Sequence, residues 1–345
     1  MNKNILESIS RIINHFLVNV KINTVTIIQS GLINSTFKIE TDQGEFILQK
    51  INQRVFPNTS ALLNNKEKVI HYLKGIGFPT ISYIANKEGL TYTYDGDEVW
   101  QLSVYIPSKI IEKISSPIIA EKLGTYLANF HKVLLDFPID ELEFTIPDFH
   151  NTIKRFDDFQ ESIKHANQQR LEQAKESIVF LKNNFNFIKE IATKIDLGEI
   201  PLRVVHNDTK IGNMLFDENE DIICIIDFDT IMPGSILHDV GDALRSGSNT
   251  SSENERDLTK VKFDTEIYES FMKGYRNEAI SFMTTEELEN INLSLPLLLF
   301  EQACRFLGDY LNNDSYYNTD YENQNLVRAK TQIKLFDQVI SYLKL

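Results

Sequence analysis

The densest group of chemically capable side chains is His206-Asn207-Asp208-Thr209-Lys210-Ile211-Gly212-Asn213, and Asp227-Phe228-Asp229 begins 14 positions after Asn213. His206, Asp208 and Asn213 carry the H-x-D-x-x-x-x-N spacing of a phosphoryl-transfer loop, and Asp227 directly follows the apolar stretch 222–226. Such transfer needs few parts. One carboxylate orients the acceptor hydroxyl and takes its proton, while a carboxylate and an amide oxygen hold Mg²⁺ against the nucleotide phosphates. A loop between strands collects Asn, Asp, Thr and Gly for conformational reasons alone, so the His-x-Asp triplet by itself carries little. The joint pattern carries more: the spacing to Asn213, an intervening hairpin, a carboxylate closing an apolar strand, and a strand-rich segment upstream. Other chemistries lack their parts. There is no G-x-x-x-x-G-K-[ST] loop, no H-E-x-x-H and no G-x-S-x-G, and the seven histidines are scattered.

These residues need elements to position them. An amphipathic helix built on Ile5, Ile9, Ile12, Ile13, Phe16 and Leu17 comes first. Strand-like stretches follow at 24–29, 35–40 and 45–51, with turn signals at Ser30-Gly31 and Asp42-Gln43-Gly44. A helix is expected over 59–74, then strands at 90–94 and 99–106 around the turn Asp95-Gly96-Asp97. From Pro117 the pattern turns helical: 118–135 has a strong 3.6 period, and 151–194 contains nothing that breaks a helix. Short strands at 202–205, 214–216 and 222–226 bracket the chemical residues, and helices fill the remainder from about His238. The result is an α+β chain of two lobes, 1–106 and 107–345, with no internal repeat.

Composition sets outer bounds. The 345 residues are 42% hydrophobic and 24% charged, the balance of a soluble globular protein. With 35 Lys plus Arg against 49 Asp plus Glu the net charge is −14, and no basic cluster offsets it, which argues against nucleic acid as a partner. Cys224 and Cys304 stand 80 positions apart without a second Cys near either, so a disulfide framework is not expected and a reducing cytoplasm fits. No run approaches membrane-spanning length, and polar residues interrupt the first twenty positions where a signal peptide would be apolar.

Six blocks together resemble the aminoglycoside phosphotransferase and choline kinase superfamily, and within it the bacterial N-acetylhexosamine 1-kinases. They are Gly31-Leu32-Ile33-Asn34-Ser35-Thr36-Phe37, Leu48-Gln49-Lys50-Ile51-Asn52, the run from Val205 to Asn213, Ile226-Asp227-Phe228-Asp229-Thr230-Ile231-Met232-Pro233-Gly234, Gly241-Asp242-Ala243-Leu244-Arg245 and Arg305-Phe306-Leu307-Gly308-Asp309-Tyr310. The resemblance implies a protein-kinase-like two-lobe fold, with ATP and Mg²⁺ as cofactors. It makes Asp208 the catalytic base and Asn213 and Asp227 the Mg²⁺ ligands. Asp229 is left between a second metal or sugar contact and a structural role, and His206 is expected to brace the loop. Asp239 stands where such kinases bury a carboxylate under the catalytic loop; a helix N-cap is the plainer alternative. Gly31, Leu32, Ile33 and Asn34 would cover the phosphates, and adenine would stack at the connection between lobes, near Val104 to Pro107. The phosphate-binding cation is expected on the third strand, where alternation lets only one of Gln49 and Lys50 face the cleft. Lys50 is the chemically sensible choice, with Glu67 as its ion-pair partner.

By the same resemblance the acceptor is a small-molecule sugar, phosphorylated on its anomeric hydroxyl. Asp242, Arg245, Arg305, Asp309 and Tyr310 are candidates to hold it, each with an alternative as an ordinary surface or ion-pairing residue. Tyr316 and Tyr317 would stack on the sugar ring or belong to the core. Competing expectations are a kinase for an aminoglycoside or choline-like acceptor, and a nucleotide-binding pseudokinase. The last predicts damaged catalytic positions, whereas Asp208, Asn213 and Asp227 are all present.

Overall fold

A computed structural model describes residues 3–28 and 33–345. Helix α1 (Lys3–Phe16) is followed by β1 (Ile22–Ile28), β2 (Ser35–Thr41), β3 (Gly44–Lys50), α2 (Thr59–Gly75), β4 (Thr93–Asp95) and β5 (Glu98–Val104). The five strands form one antiparallel sheet in the order β1-β2-β3-β5-β4. Alternation along the strands gives it two apolar faces. Phe37, Ile39, Phe46, Leu48, Trp100 and Leu102 meet Ile9, Ile12, Ile13 and Phe16 of α1 on one face. Ile51 and Val99 meet Leu62 and Leu63 of α2 on the other. Asn58 starts α2 by accepting from the Ala61 N–H, and Gly77, at φ +74°, lets the chain turn away after it.

The remainder holds β6 (Lys109–Ile110), α3 (Pro117–Val133), α4 (Thr152–His165), α5 (Gln168–Asp196), β7 (Arg203–Val205), β8 (Met214–Phe216), β9 (Ile222–Ile225), β10 (Met232–Gly234) and α6 (Ile236–Gly247). Then come α7 (Thr265–Ala279), α8 (Thr285–Asn290), α9 (Ser294–Leu311) and α10 (Gln324–Leu343). The fold is α+β, an antiparallel amino-terminal sheet joined to a mostly helical body. One stretch differs from expectation: 151–194 is two helices rather than one. Ala166 takes an extended conformation and the Asn167 side chain accepts from the Arg170 N–H, capping a new helix where no Gly or Pro marks the break.

Small strands frame the chemical residues. β7 pairs with β10, and β6, β8 and β9 form a three-stranded sheet, so 206–213 connects one sheet to the other and Asp227 emerges from the end of β9. Beneath them α6 packs on α9 at a glycine: a Cβ on Gly241 would lie 2.2 Å from the Ser294 carbonyl oxygen. Cys224 and Cys304 are buried and free. Among the described residues no helix is long and apolar enough to cross a membrane.

Candidate active site

The loop at 206–213 is held from below by one carboxylate. Asp239, in the first turn of α6, accepts from the backbone N–H groups of His206 (2.8 Å) and Asn207 (2.6 Å) and from His131 Nε2 at 2.9 Å. Burial pushes its pKa up, but these donors and the His131 ring bring the net value below the ordinary carboxylate range. Ser235, not Asp239, caps α6. Asn207 sits at φ +63°, with its amide donating to the Thr230 carbonyl at 3.0 Å. His206 Nε2 lies 3.0 Å from the Ile226 carbonyl oxygen, while its Nδ1 accepts from the Asp208 N–H at 3.3 Å. One nitrogen donates and the other accepts, which is neutral imidazole, and burial lowers the pKa in the same sense. His206 therefore ties the loop to the segment that carries Asp227.

Asp208 is half-buried and accepts from Lys210 Nζ at 2.7 Å and Asn213 Nδ2 at 3.0 Å. Desolvation raises its pKa, yet the Lys210 charge and these hydrogen bonds leave it below the ordinary value, so it is ionised at neutral pH. The Asn213 amide spends its N–H donors on Asp208, including the carbonyl at 2.8 Å, which leaves Oδ1 as an acceptor. Asp227 adopts a left-handed conformation at φ +68°. Burial, then the nearby Asp229 and Asp208 charges, push its pKa up to about 7. A carboxylate crowded by two others, beside an amide oxygen, is a donor set that suits a hard divalent cation completing its shell with phosphate oxygens and water.

Several expected positions are corrected by the geometry. Lys50 shares the α1 face of β3 with Phe46 and Leu48, and its ammonium pairs with Glu98 at 2.8 Å. Gln49 takes the other face, and Glu67 is exposed, so the Lys50–Glu67 pair is not made. The neighbour of Glu67 matters instead. Lys66 is 1% exposed, and its ammonium is ion-paired with Asp229. Asn34 donates to the other Asp229 oxygen while accepting from the Asn52 N–H at 2.8 Å. With both oxygens engaged, Asp229 joins the lobes, the structural role left open for it. Gly31 and Leu32 lie outside the described residues, and Ile33 is exposed. Lys66 went unassigned, although a signal existed: it falls on the apolar stripe of Leu62, Val69, Ile70 and Leu73, where a solvated lysine does not belong.

Around the acceptor side, one oxygen of Asp242 receives Arg245 Nη2 at 2.7 Å and Nε at 2.9 Å, and the other is buried without a hydrogen-bond partner. Arg245 also reaches Glu253. Arg305 lies over Phe149 at 5.2 Å and near the Tyr317 ring at 5.9 Å. Asp242 acts on the charge of Lys210, and Arg245 on that of Arg305, so these groups share one region with Asp208. Asp309 and Tyr310 do not join them. Asp309 accepts from the N–H groups of Tyr316 (2.8 Å) and Tyr317 (2.9 Å) and from Asn325 at 2.9 Å, which makes it the organiser of the turn that presents Tyr317. Tyr310 packs against α5, hydrogen-bonded to Gln173 with the Arg170 guanidinium 4.5 Å from its ring.

An antiparallel sheet flanked by α1 and α2, a helical body, and an Asp-Asn-Asp constellation between them define the protein-kinase-like fold. The chain belongs to the phosphotransferase enzyme family (APH), whose sequence pattern matches residues 24–272. Its structure is similar to that of spectinomycin phosphotransferase APH(9)-Ia in complex with ADP and spectinomycin (TM-score 0.67, 14% identity, 99% of this chain and 98% of that one). It is also similar to choline kinase from Cryptosporidium parvum Iowa II, with TM-score 0.59 and 15% identity over 100% of this chain and 98% of that one. In sequence, it is 23% identical over 195 residues to a probable ethanolamine kinase of Nematostella vectensis, 54% of this chain and 50% of that protein. The chain thus matches about half the length of that curated relative.

Proposed function

We propose that the chain is an ATP- and Mg²⁺-dependent kinase that transfers the γ-phosphoryl group to the anomeric hydroxyl of an N-acetylhexosamine, GlcNAc or GalNAc, giving the sugar 1-phosphate. The observation that carries the kinase chemistry is the join of Asp208, Asn213 and Asp227 through His206, which sets base and cation ligands on one rigid frame. Asp208, ionised and pinned by Lys210 and Asn213, accepts the proton of the attacking hydroxyl. A hemiacetal hydroxyl is more acidic than a plain alcohol and suits so weak a base. Bound between Asn213 and Asp227, Mg²⁺ would neutralise charge building on the phosphates.

The sugar assignment rests on the six sequence blocks and on Arg305. Among the described residues this guanidinium has no carboxylate within ion-pair distance, since Glu301 is taken by His150 at 2.7 Å and by Thr152. A neutral polyol is welcome there, whereas an ammonium acceptor meets repulsion. The relatives named for ethanolamine, choline and spectinomycin, and the unpartnered oxygen of Asp242, favour a second reading in which the acceptor is an amino alcohol or aminoglycoside. A panel of acceptors incubated with ATP, read as ADP release, separates the two. GlcNAc or GalNAc should turn over and their 1-deoxy analogues should be inert; turnover of amino alcohols but of no hexosamine would sink the sugar assignment.

A further inference from the structure

In a kinase of this architecture, the cation that meets the nucleotide phosphates is carried by the third strand and steadied by a carboxylate on the following helix. Here β3 offers none. Lys50 faces α1 and is spent on Glu98, and the residue beside it on the opposite, α2 face is Gln49, a neutral amide. We propose that Lys66, on α2, is the phosphate-binding cation of this site, with the roles of the two elements exchanged: the helix supplies the charge, and Asp229, two residues beyond Asp227, steadies it. The assignment rests on the kinase reading above and names a residue of that same site.

Three observations support it. Lys66 lies within the interlobe core at 1% exposure, in an ion pair whose partner is only 4% exposed, and its charge reaches Asp227. A hydrocarbon side chain would fill this position without desolvating an ammonium, so packing alone gives no reason for lysine. The donor count leaves room for a ligand, since an ammonium has three N–H groups, of which Asp229 takes one and the neighbouring Tyr83 hydroxyl a second. Finally, the same side of the sheet carries Gln101, opposite Gln49 in the β3–β5 register, with both amide atoms buried and unpartnered. Such an orphaned group marks a polar surface built toward something other than protein. Among the other described cations, Lys210 sits on the acceptor side with Asp208 and Asp242, and Lys38 pairs with Glu45 at 3.1 Å beside the Tyr105 ring.

Binding of ATP, ADP and adenosine to the full chain in the presence of Mg²⁺, measured by calorimetry, tests the assignment. Lys66→Met should weaken ATP and ADP by roughly tenfold or more while leaving adenosine unchanged, and Lys50→Ala should leave all three as they are. Because Lys66→Met strands a buried carboxylate, Lys66→Met combined with Asp229→Asn removes the charge pair together and should show the same selective loss. The assignment is overturned if the folded double variant binds ATP as tightly as the parent, if ATP and adenosine weaken equally, or if Lys50→Ala selectively loses ATP. A parent chain that binds no nucleotide at all would overturn the kinase reading and this assignment together.

Discussion

Asp208 draws its capacity from its neighbours. The Lys210 ammonium and the Asn213 amide keep it ionised and aimed, and the His206 ring, neutral with a fixed tautomer, positions the loop. Asp208→Asn preserves shape and the hydrogen-bonding frame but removes the proposed base. Turnover should therefore fall on the order of 10³-fold with nucleotide affinity nearly unchanged, checked by steady-state ADP release beside ATP calorimetry. A variant that retained parental turnover would show that another group takes the proton. At this scale the sequence was most legible in its geometry, because the motif is local: Asp208, Asn213 and Asp227 fall within a stretch of 20 residues, and the structure brings them together. Lys50 was misplaced because the choice between it and Gln49 depends on which sheet face α1 covers, a tertiary fact that no adjacent residue reports.

Elements converge on the loop from three sides: α6 through Asp239, α3 through His131, and α9 through Glu301. The third is a buried ion pair. His150, just ahead of α4, lies 2.7 Å from Glu301 and 3.1 Å from the Asn207 carbonyl oxygen, so the α9 carboxylate reaches the loop through an imidazolium. Burial raises the Glu301 pKa, but His150, with smaller effects from His238 and Arg305, brings it to about 2. Burial lowers that of His150, and Glu301 overrides it upward. The signs are opposite. Glu301, depressed from 4.5, contributes stability that is full above its unfolded pKa and lost as pH falls toward about 2. His150 contributes below its unfolded pKa of 6.5 and loses its share as pH rises through its folded value. In urea unfolding, Glu301→Gln should cost on the order of 3 kcal/mol near pH 6, a gap that narrows as pH drops below 4.5 and closes toward about 2. A gap independent of pH would mean that Glu301 acts by packing alone. Helices and strands themselves were legible from periodicity, whereas the split at Ala166 and Asn167 was not, since a lone Asn cap inside an unbroken polar pattern has no competing signal.

Across the whole molecule the two lobes are stitched along α2. Lys66 and Asn34 meet at Asp229, and Asn65 donates to the Ile231 carbonyl at 3.0 Å and the Glu143 carbonyl at 2.8 Å. The short segment after Asp227 thereby feels both lobes. Net charge has a different reach. At −14 the chain surrounds itself with negative potential, which draws cationic acceptors toward the cleft and leaves a neutral one indifferent. The two acceptor classes can therefore be told apart by salt as well as by turnover. With ATP saturating, the KM for GlcNAc or GalNAc should change by less than about twofold between about 20 mM and about 200 mM NaCl, because screening removes a field that the sugar never felt. An amino alcohol or aminoglycoside acting as the true acceptor would show a KM rising severalfold over the same range, as steering is screened while the contacts inside the cleft remain. A steep salt dependence for the hexosamine would contradict both its neutrality in the site and the role of Arg305, since only a charged acceptor couples to the field of the whole surface.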